Sequence, residues 1–460
     1  MATAAAPTAT IAARLDRLPP SHYFRTLVAK ISLGGWFEFY DLFMTAYIAL
    51  GLIKAKLFVA TGFFDWTAFA SFVGSGFAGM FVGTLIFSYL SDRYGRKVTF
   101  TYSLLWYSIA TIVMAFQPTA FSIDVWRFLA GIGIGVQLVT IDAYISEITP
   151  KESRGHFIAF SQFITYTAVP VVALIAYLFV PRTFAGLDGW RWVVIIGGLG
   201  AIFIWFVRLG LPESPRWYDI HNHHADAERV MEEMESRVRT ELGTELPPAV
   251  ALPNESVSEG SWTEIWGPRY LKRTVMLVIF NFFQTIGFYG FAAWVPILLF
   301  SEGVTFVRSL EYTFVIAILN PLGPLIGMYY ADRLQRKWQI VWLSVAIAVF
   351  GLIFSQMREP ALIILFGVLI TLANNWFSAA FHAYQAELYP TRIRAQAVGF
   401  VYSWSRFSSI FIGFLIALAL KNYGTSGVFV LIACAMAIVA IDIAALGPKT
   451  TGERLEAISA

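Results

Sequence analysis

The run GGWFEFYDLFMTAYIALGL, residues 34–52, is apolar and of helix length, yet it carries two carboxylates, Glu38 and Asp41, near its middle. Extended from about Leu27 to Ile53 it is long enough to cross a bilayer. Both acids then sit close to the midplane, where an ionised Asp costs roughly 2.5–3.5 kcal/mol on insertion scales. Three residues apart, they project on one helix face. That face is expected to meet a water-filled path or a basic partner rather than lipid. An acid that picks up a proton there is a natural coupling site; the structural alternative is a buried ion pair.

The rest of the chain agrees with a membrane setting. Of 460 residues 57% are hydrophobic, 17% aromatic and only 14% charged, with a mean hydropathy of +0.64. Such apolar content at this length points to an integral membrane protein. The net charge of +3 gives no reason to expect nucleic acid as a partner. Cys434 is the single cysteine, which excludes an internal disulfide and Cys-based metal sites. The Ala/Thr-rich start has no apolar core before Pro19-Pro20, so a cleaved signal peptide is not expected.

Apolar runs of about 20 residues predict twelve transmembrane helices, an all-α membrane fold. They centre near Tyr40, Ala78, Ser108, Gly133, Thr167 and Gly200, then near Thr285, Asn320, Ala348, Asn374, Arg406 and Met436. One connection is long and charged, and it divides the chain. The expected order is a tail (1–26), a six-helix half (27–211), a linker with a soluble helix (212–268), a second half (269–447) and a tail (448–460). His221, His223 and His224 open the linker without visible partner ligands, so a solvated face is expected there and no metal site.

Basic residues cluster on one side. Arg93, Arg96 and Lys97, Lys151 and Arg154, Arg333, Arg336 and Lys337, and Arg392 and Arg394 all fall in loops of that side. The positive-inside rule makes it cytoplasmic, together with both termini and the linker. These loops also repeat. Asp92-Arg93-Tyr94-Gly95-Arg96-Lys97 returns as Asp332-Arg333-Leu334-Gln335-Arg336-Lys337, 240 residues on (332 minus 92). Glu147-Ile148-Thr149-Pro150 returns as Glu387-Leu388-Tyr389-Pro390 at the same offset, with Arg154 returning as Arg394. Two motifs sharing one offset imply duplication of a six-helix unit. An even number of spans per unit makes the halves parallel about an axis normal to the membrane.

At these residues the chain resembles the major facilitator superfamily along essentially its whole length. Residues 88–97 resemble the G-x-x-x-D-R-x-G-R-K signature, with Ser88 at the leading glycine; Met328 and Gln335 replace glycines in the second copy. Arg127-Phe-Leu-Ala-Gly131-Ile-Gly133-Ile-Gly135 resembles the fourth-helix R-x-x-x-G-x-G-x-G stretch, and Pro212-Glu213-Ser214-Pro215-Arg216 is similar to the sugar porters and their organic-ion relatives. The glycine run also matches part of a dinucleotide fingerprint, but it lies inside an apolar run with no preceding strand. Glu38-Phe39-Tyr40-Asp41 resembles the E-W-Y-D stretch of metabolite:proton symporters. The resemblance implies a proton-linked pair between Asp41 and Arg127, with Glu38 beside it; snorkelling of Arg127 to the interface is the alternative.

Arg406 places a permanent cation near the centre of the eleventh span, where a guanidinium recognises a carboxylate in a bidentate fork. Its surroundings, and the seventh-helix stretch through Tyr289, resemble aromatic-acid and nicotinate-type transporters. The alternative is a pair with a buried acid of the protein, and none is predicted at that depth in the second half. Gln137, Gln284, Asn374 and Asn375 are further candidates for cargo contact. Cytoplasmic Asp92, Arg93, Arg96, Glu147, Arg154, Asp332, Arg333, Glu387 and Arg394 form an expected gate, with Glu147 and Glu387 pairing to Arg93, Arg333 or the Arg154/Arg394 set.

The reading is a monomeric proton-coupled symporter in the cell (inner or plasma) membrane that imports a small organic anion. Its rivals are a sugar or polyol carrier, for which Arg406 is dispensable, and a non-transporting nutrient sensor. No nucleophile–base or metal-ligand constellation suggests an enzyme, and no cofactor is expected.

Overall fold

The computed structural model describes residues 10–58, 67–150, 153–249, 262–330, 333–389 and 391–450. The first half comprises α1 (Ile11–Asp16), α2 (His22–Lys54), α3 (Thr67–Tyr94), α4 (Arg96–Ala115), α5 (Ala120–Ile148), α6 (Arg154–Tyr166) and α7 (Ala168–Phe179). A two-stranded hairpin, β1 (Thr183–Phe184) and β2 (Leu187–Asp188), leads into α8 (Gly189–Leu209). The linker holds α9 (Pro215–Ile220), α10 (His224–Leu242) and a 3₁₀ turn at Trp262–Trp266. The second half follows as α11 (Leu271–Ala292), α12 (Val295–Ser301), α13 (Phe306–Ile318), α14 (Leu322–Tyr330), α15 (Arg336–Phe354), α16 (Pro360–Glu387) and α17 (Thr391–Leu446).

Among the described residues nine stretches are long and apolar enough to cross a membrane, and α3 and α5 add two. The 56 residues of α17 reach about 84 Å at 1.5 Å per residue, too far for one crossing. Gly424, at φ 66°, bends it into two spans, which brings the total to twelve. The spans centred on Thr167 and Asn320 are broken at those centres. Pro170 and Pro321 supply no N–H to the carbonyls four residues back. At the second break the Asn320 amide donates to the Ala317 carbonyl (3.1 Å), one of the groups Pro321 leaves without its helix partner.

Close helix approach rests on glycine between α3 and α5. A methyl on Gly79 would run into the Phe128 carbonyl, and one on Gly135 into that of Met80. The ends of the helices are tied by acids. Glu213 accepts from the backbone N–H of Arg96 (3.1 Å) and Lys97 (3.0 Å) and so caps α4. Burial pushes its carboxyl above the usual range, against these N–H donors. Glu241 of α10 caps α2 through His22 N (2.6 Å) and Tyr23 N (2.9 Å).

The first span therefore begins at His22, five residues before the expected boundary, and the tail is not bare. Ile11 and Leu15 of α1 pack with Val230, Met231 and Met234 of α10 and with Ile145 of α5. Arg14 and Arg17 both reach Glu235, at 2.9 and 2.7 Å. Burial raises the Glu235 carboxyl, but the two guanidinium groups hold it below the usual range. In the linker, His221 stacks on Trp217 and His224 meets Asp219 at 3.0 Å.

Candidate functional site

Asp41 lies on the long α2, and Arg127 enters from α5, two turns inside its N-terminus. The Arg127 Nη1 donates to Asp41 Oδ2 at 2.5 Å, and Nη2 donates to Thr45 Oγ1 at 2.6 Å. Both partners are buried, Asp41 at 0% and Arg127 at 2% exposure, so Arg127 does not snorkel. Space for the guanidinium comes from Gly76 of α3, where a methyl would meet Arg127 Nε at 2.9 Å. Its other side lies over the Phe72 ring (5.4 Å). Tyr107 of α4 and Tyr40 sense the Asp41 charge. A buried pair of this kind has a heavy desolvation cost, which falls if the acid binds a proton.

Arg406 is also buried, at 5%. Its Nη1 donates to the Tyr289 hydroxyl (3.1 Å), and the guanidinium lies over the Tyr402 ring (5.4 Å). The second half supplies no acid in these contacts, but the first half does: Glu38, buried at 3%, is among the charges that act on Arg406. A buried carboxylate of the protein therefore does stand within electrostatic reach. His382 of α16 stacks on Phe381 (4.3 Å) and packs against Tyr402 (5.3 Å), on the ring that Arg406 overlies.

Two adjoining cavities lie between the halves. One is lined by Leu42, Thr45, Phe77, Arg127 and Tyr289. The other is lined by Tyr47, Phe288, Thr313, Asn320, Asn374 and Asn375. Tyr289 thus lines the cavity that Arg127 reaches while its hydroxyl holds Arg406. Its ring packs on Phe77 (4.7 Å), across the boundary between the halves. On the side away from the basic loops the halves also meet through Phe69 and Trp294 (4.9 Å) and through Tyr177 and Phe314 (6.3 Å).

Of the remaining expected residues, Gln284 is buried on α11. Asn374 faces the second cavity. Asn375 reaches it too, but its amide donates to the backbone and side-chain oxygens of Asn320 (3.1 and 2.9 Å). The side chain of Gln137 lies outside the described residues, as do those of Asp92, Arg93, Arg154 and Arg394 and the whole of Asp332. Glu147 meets Arg96 (3.2 Å) and Glu387 meets Arg336, each pair inside its own half; Arg333 is exposed and lies over the Tyr329 ring. Arg96 and Arg336 thus take these acids, in addition to any contact with the partners expected for them. Thr45, Gly76 and Tyr107 were not singled out from sequence, since a threonine, a glycine and a tyrosine in apolar helices carry no signal until the helices are packed.

The model of the Sugar (and other) transporter family matches residues 27–460. Over 456 residues the chain is 31% identical to YyaJ of Bacillus subtilis, a protein named for metabolite transport, covering 98% of each. It is 28% identical to the niacin transporter NiaP of Acinetobacter baylyi, over 97% of this chain and 99% of that one. In fold it is similar to the partially occluded inward-open form of the xylose transporter XylE from E. coli. The TM-score is 0.77 at 17% identity, covering 94% of this chain and 100% of the other. The chain therefore belongs to the Sugar (and other) transporter family, multi-pass membrane transporters rather than enzymes, and shares the fold of the solved xylose symporter of the major facilitator superfamily.

Proposed function

We propose that this transporter imports a small organic anion together with protons, by rocking of its two halves about the central cavities. The observation that carries the reading is the buried Asp41–Arg127 pair, opening onto the same cavity as Tyr289, which binds Arg406. A guanidinium beside a carboxylate favours its charged form, and a dry site favours the neutral one. Rocking alters both, so Asp41 takes a proton in one state and releases it in the other, with Arg127 tuning it and Glu38 beside it. Arg406 holds the cargo carboxylate; Tyr289, Gln284, Gln137, Asn374 and Asn375 shape the rest of the site. The names of relatives, a niacin transporter and a D-xylose-proton symporter, support a carboxylate cargo and proton coupling respectively.

In the cell membrane both termini, the linker and the basic loops face the cytoplasm, and the protein works as a monomer. There Asp92, Arg93, Arg96, Glu147, Arg154 and their second-half counterparts Asp332, Arg333, Arg336, Glu387 and Arg394 act as a gate. Each exposed pair contributes about 0–1 kcal/mol, so the gate sums weak ties and opens on every cycle.

A second reading, a sugar or polyol carrier, is favoured by the amide-lined cavity with Asn320, Asn374 and Thr313, groups suited to hydroxyls. Uptake by proteoliposomes of monocarboxylates, aromatic acids and sugars, with and without a pH gradient, separates the two. Gradient-driven accumulation of an anion that needs Arg406 supports the first reading. Uptake of sugars alone, unaffected by Arg406→Ala, sinks it.

A further inference from the structure

Glu38 stands one turn before Leu42 and two before Thr45, and those two line the cavity shared with Tyr289. The stripe therefore runs along the wall facing the residue that binds Arg406. Glu38 and Arg406 are both buried, in opposite halves, and the charge of Glu38 acts on Arg406. A buried guanidinium needs a negative counterpart. Among the described residues the polar groups that act on Arg406 include the hydroxyls of Tyr289 and Tyr402 and the carboxylate of Glu38. Asp41, on the same helix face, is committed to Arg127.

We infer that Glu38 acts in the empty carrier as a built-in stand-in for the cargo carboxylate at Arg406, so that cargo binding draws a proton from water onto Glu38. This rests on the reading of Arg406 as the carboxylate site. A second anion arriving at one cation places two negative charges together in a site of low dielectric, and the carboxylate left over is neutralised by protonation. On release of cargo the proton leaves and Glu38 turns back to Arg406. Because the two residues sit on different halves, the pair is also a tie across the boundary that cargo loosens. The other groups about this pair are the hydroxyls of Tyr402 and Tyr289, Tyr166 of α6, which senses both tyrosines, and His382 of α16.

The test uses the purified full-length protein in detergent, without a gradient, titrated with nicotinate and with benzoate between pH 6 and 8. Proton uptake is read by calorimetry in buffers of different ionisation enthalpy. Binding to the Asp41→Asn protein is expected to take up on the order of half to one proton per anion, the share carried by Glu38. Glu38→Gln is expected to abolish that uptake and to bind the anions on the order of tenfold tighter at pH 8, with little pH dependence. Glu38→Asp, which keeps the charge, is expected to keep the uptake and shows that the site tolerates substitution. Absence of uptake in the Asp41→Asn protein overturns the inference, as does Glu38→Gln with unchanged affinity and uptake. Arg406→Gln separates the two levels. If it abolishes anion binding while Glu38→Gln changes nothing, only the role of Glu38 fails. If it binds as the parent does, or the parent binds neither anion, the carboxylate site fails and the inference with it.

Discussion

The two halves share a frame and differ at its centre. At the 240-residue offset, Arg96 with Glu147 and Arg336 with Glu387 form the same ion pair twice. At that offset Asn281 stands where Asp41 does and Gly367 where Arg127 does, while Tyr166 of the first half answers to Arg406 of the second. The first half thus holds an acid and its cation together, both buried. The second holds a cation bound to tyrosine hydroxyls, with Asn281 donating to the Leu277 and Gln385 oxygens (2.8 and 3.4 Å). Among the described residues of its own half Arg406 bonds hydroxyls and no acid; in the proposed function the first pair exchanges the proton and this cation receives the anion. The ion pair of the frame recurs in both halves, and the charges at the centre do not.

The division breaks most visibly at the first-half pair. Arg127→Leu leaves a buried carboxylate without its cation and is expected to cost about 3–5 kcal/mol, seen as a lowered thermal transition in detergent. Asp41→Asn keeps the fold and is expected to lose gradient-driven accumulation while still exchanging labelled cargo across the bilayer. Retained accumulation would mean that the proton is carried elsewhere. In the second half, Arg406→Ala is expected to weaken anion transport by about 2–5 kcal/mol, a factor of roughly thirty or more, measured as KM in proteoliposomes. An unchanged KM would remove the contrast between the halves.

Smaller effects test the frame. Asn375 occupies the place of Gly135 in the repeat, so the second half joins α16 to the turn between α13 and α14 through an amide where the first uses bare backbone. Asn375→Ala is expected to cost about 1–3 kcal/mol by leaving the Asn320 groups unmatched, read as a shift in thermal unfolding. The smallest effect lies at the surface. Glu235 is held below the ordinary carboxylate range by Arg14 and Arg17, so its contribution is present above that range and is lost as pH falls through its lowered value. Limited proteolysis should find the α1 segment more open at pH 3.5 than at pH 7, by about 0–1 kcal/mol. Equal cleavage at both would show that apolar packing alone docks it.

Composition, the length of the apolar runs and the echo of two loop motifs were enough to derive a twelve-span, duplicated membrane protein. Hydropathy and repetition are properties of the chain alone, and the bilayer leaves few folds that satisfy them. Asp41 and Arg406 were also visible there, because a charge in an apolar run is costly wherever its helix packs. What surrounds them was not. Thr45 and Gly76 about Arg127, the breaks at Pro170 and Pro321, and Glu213 capping α4 across more than a hundred residues all depend on which helices touch. Above all, the stripe of α2 that carries Glu38 faces, across the cavity, the Tyr289 that binds Arg406, and so joins two halves that the sequence describes separately. Contacts between distant segments leave no periodic trace in a single chain, so only the packed tertiary structure could decide them.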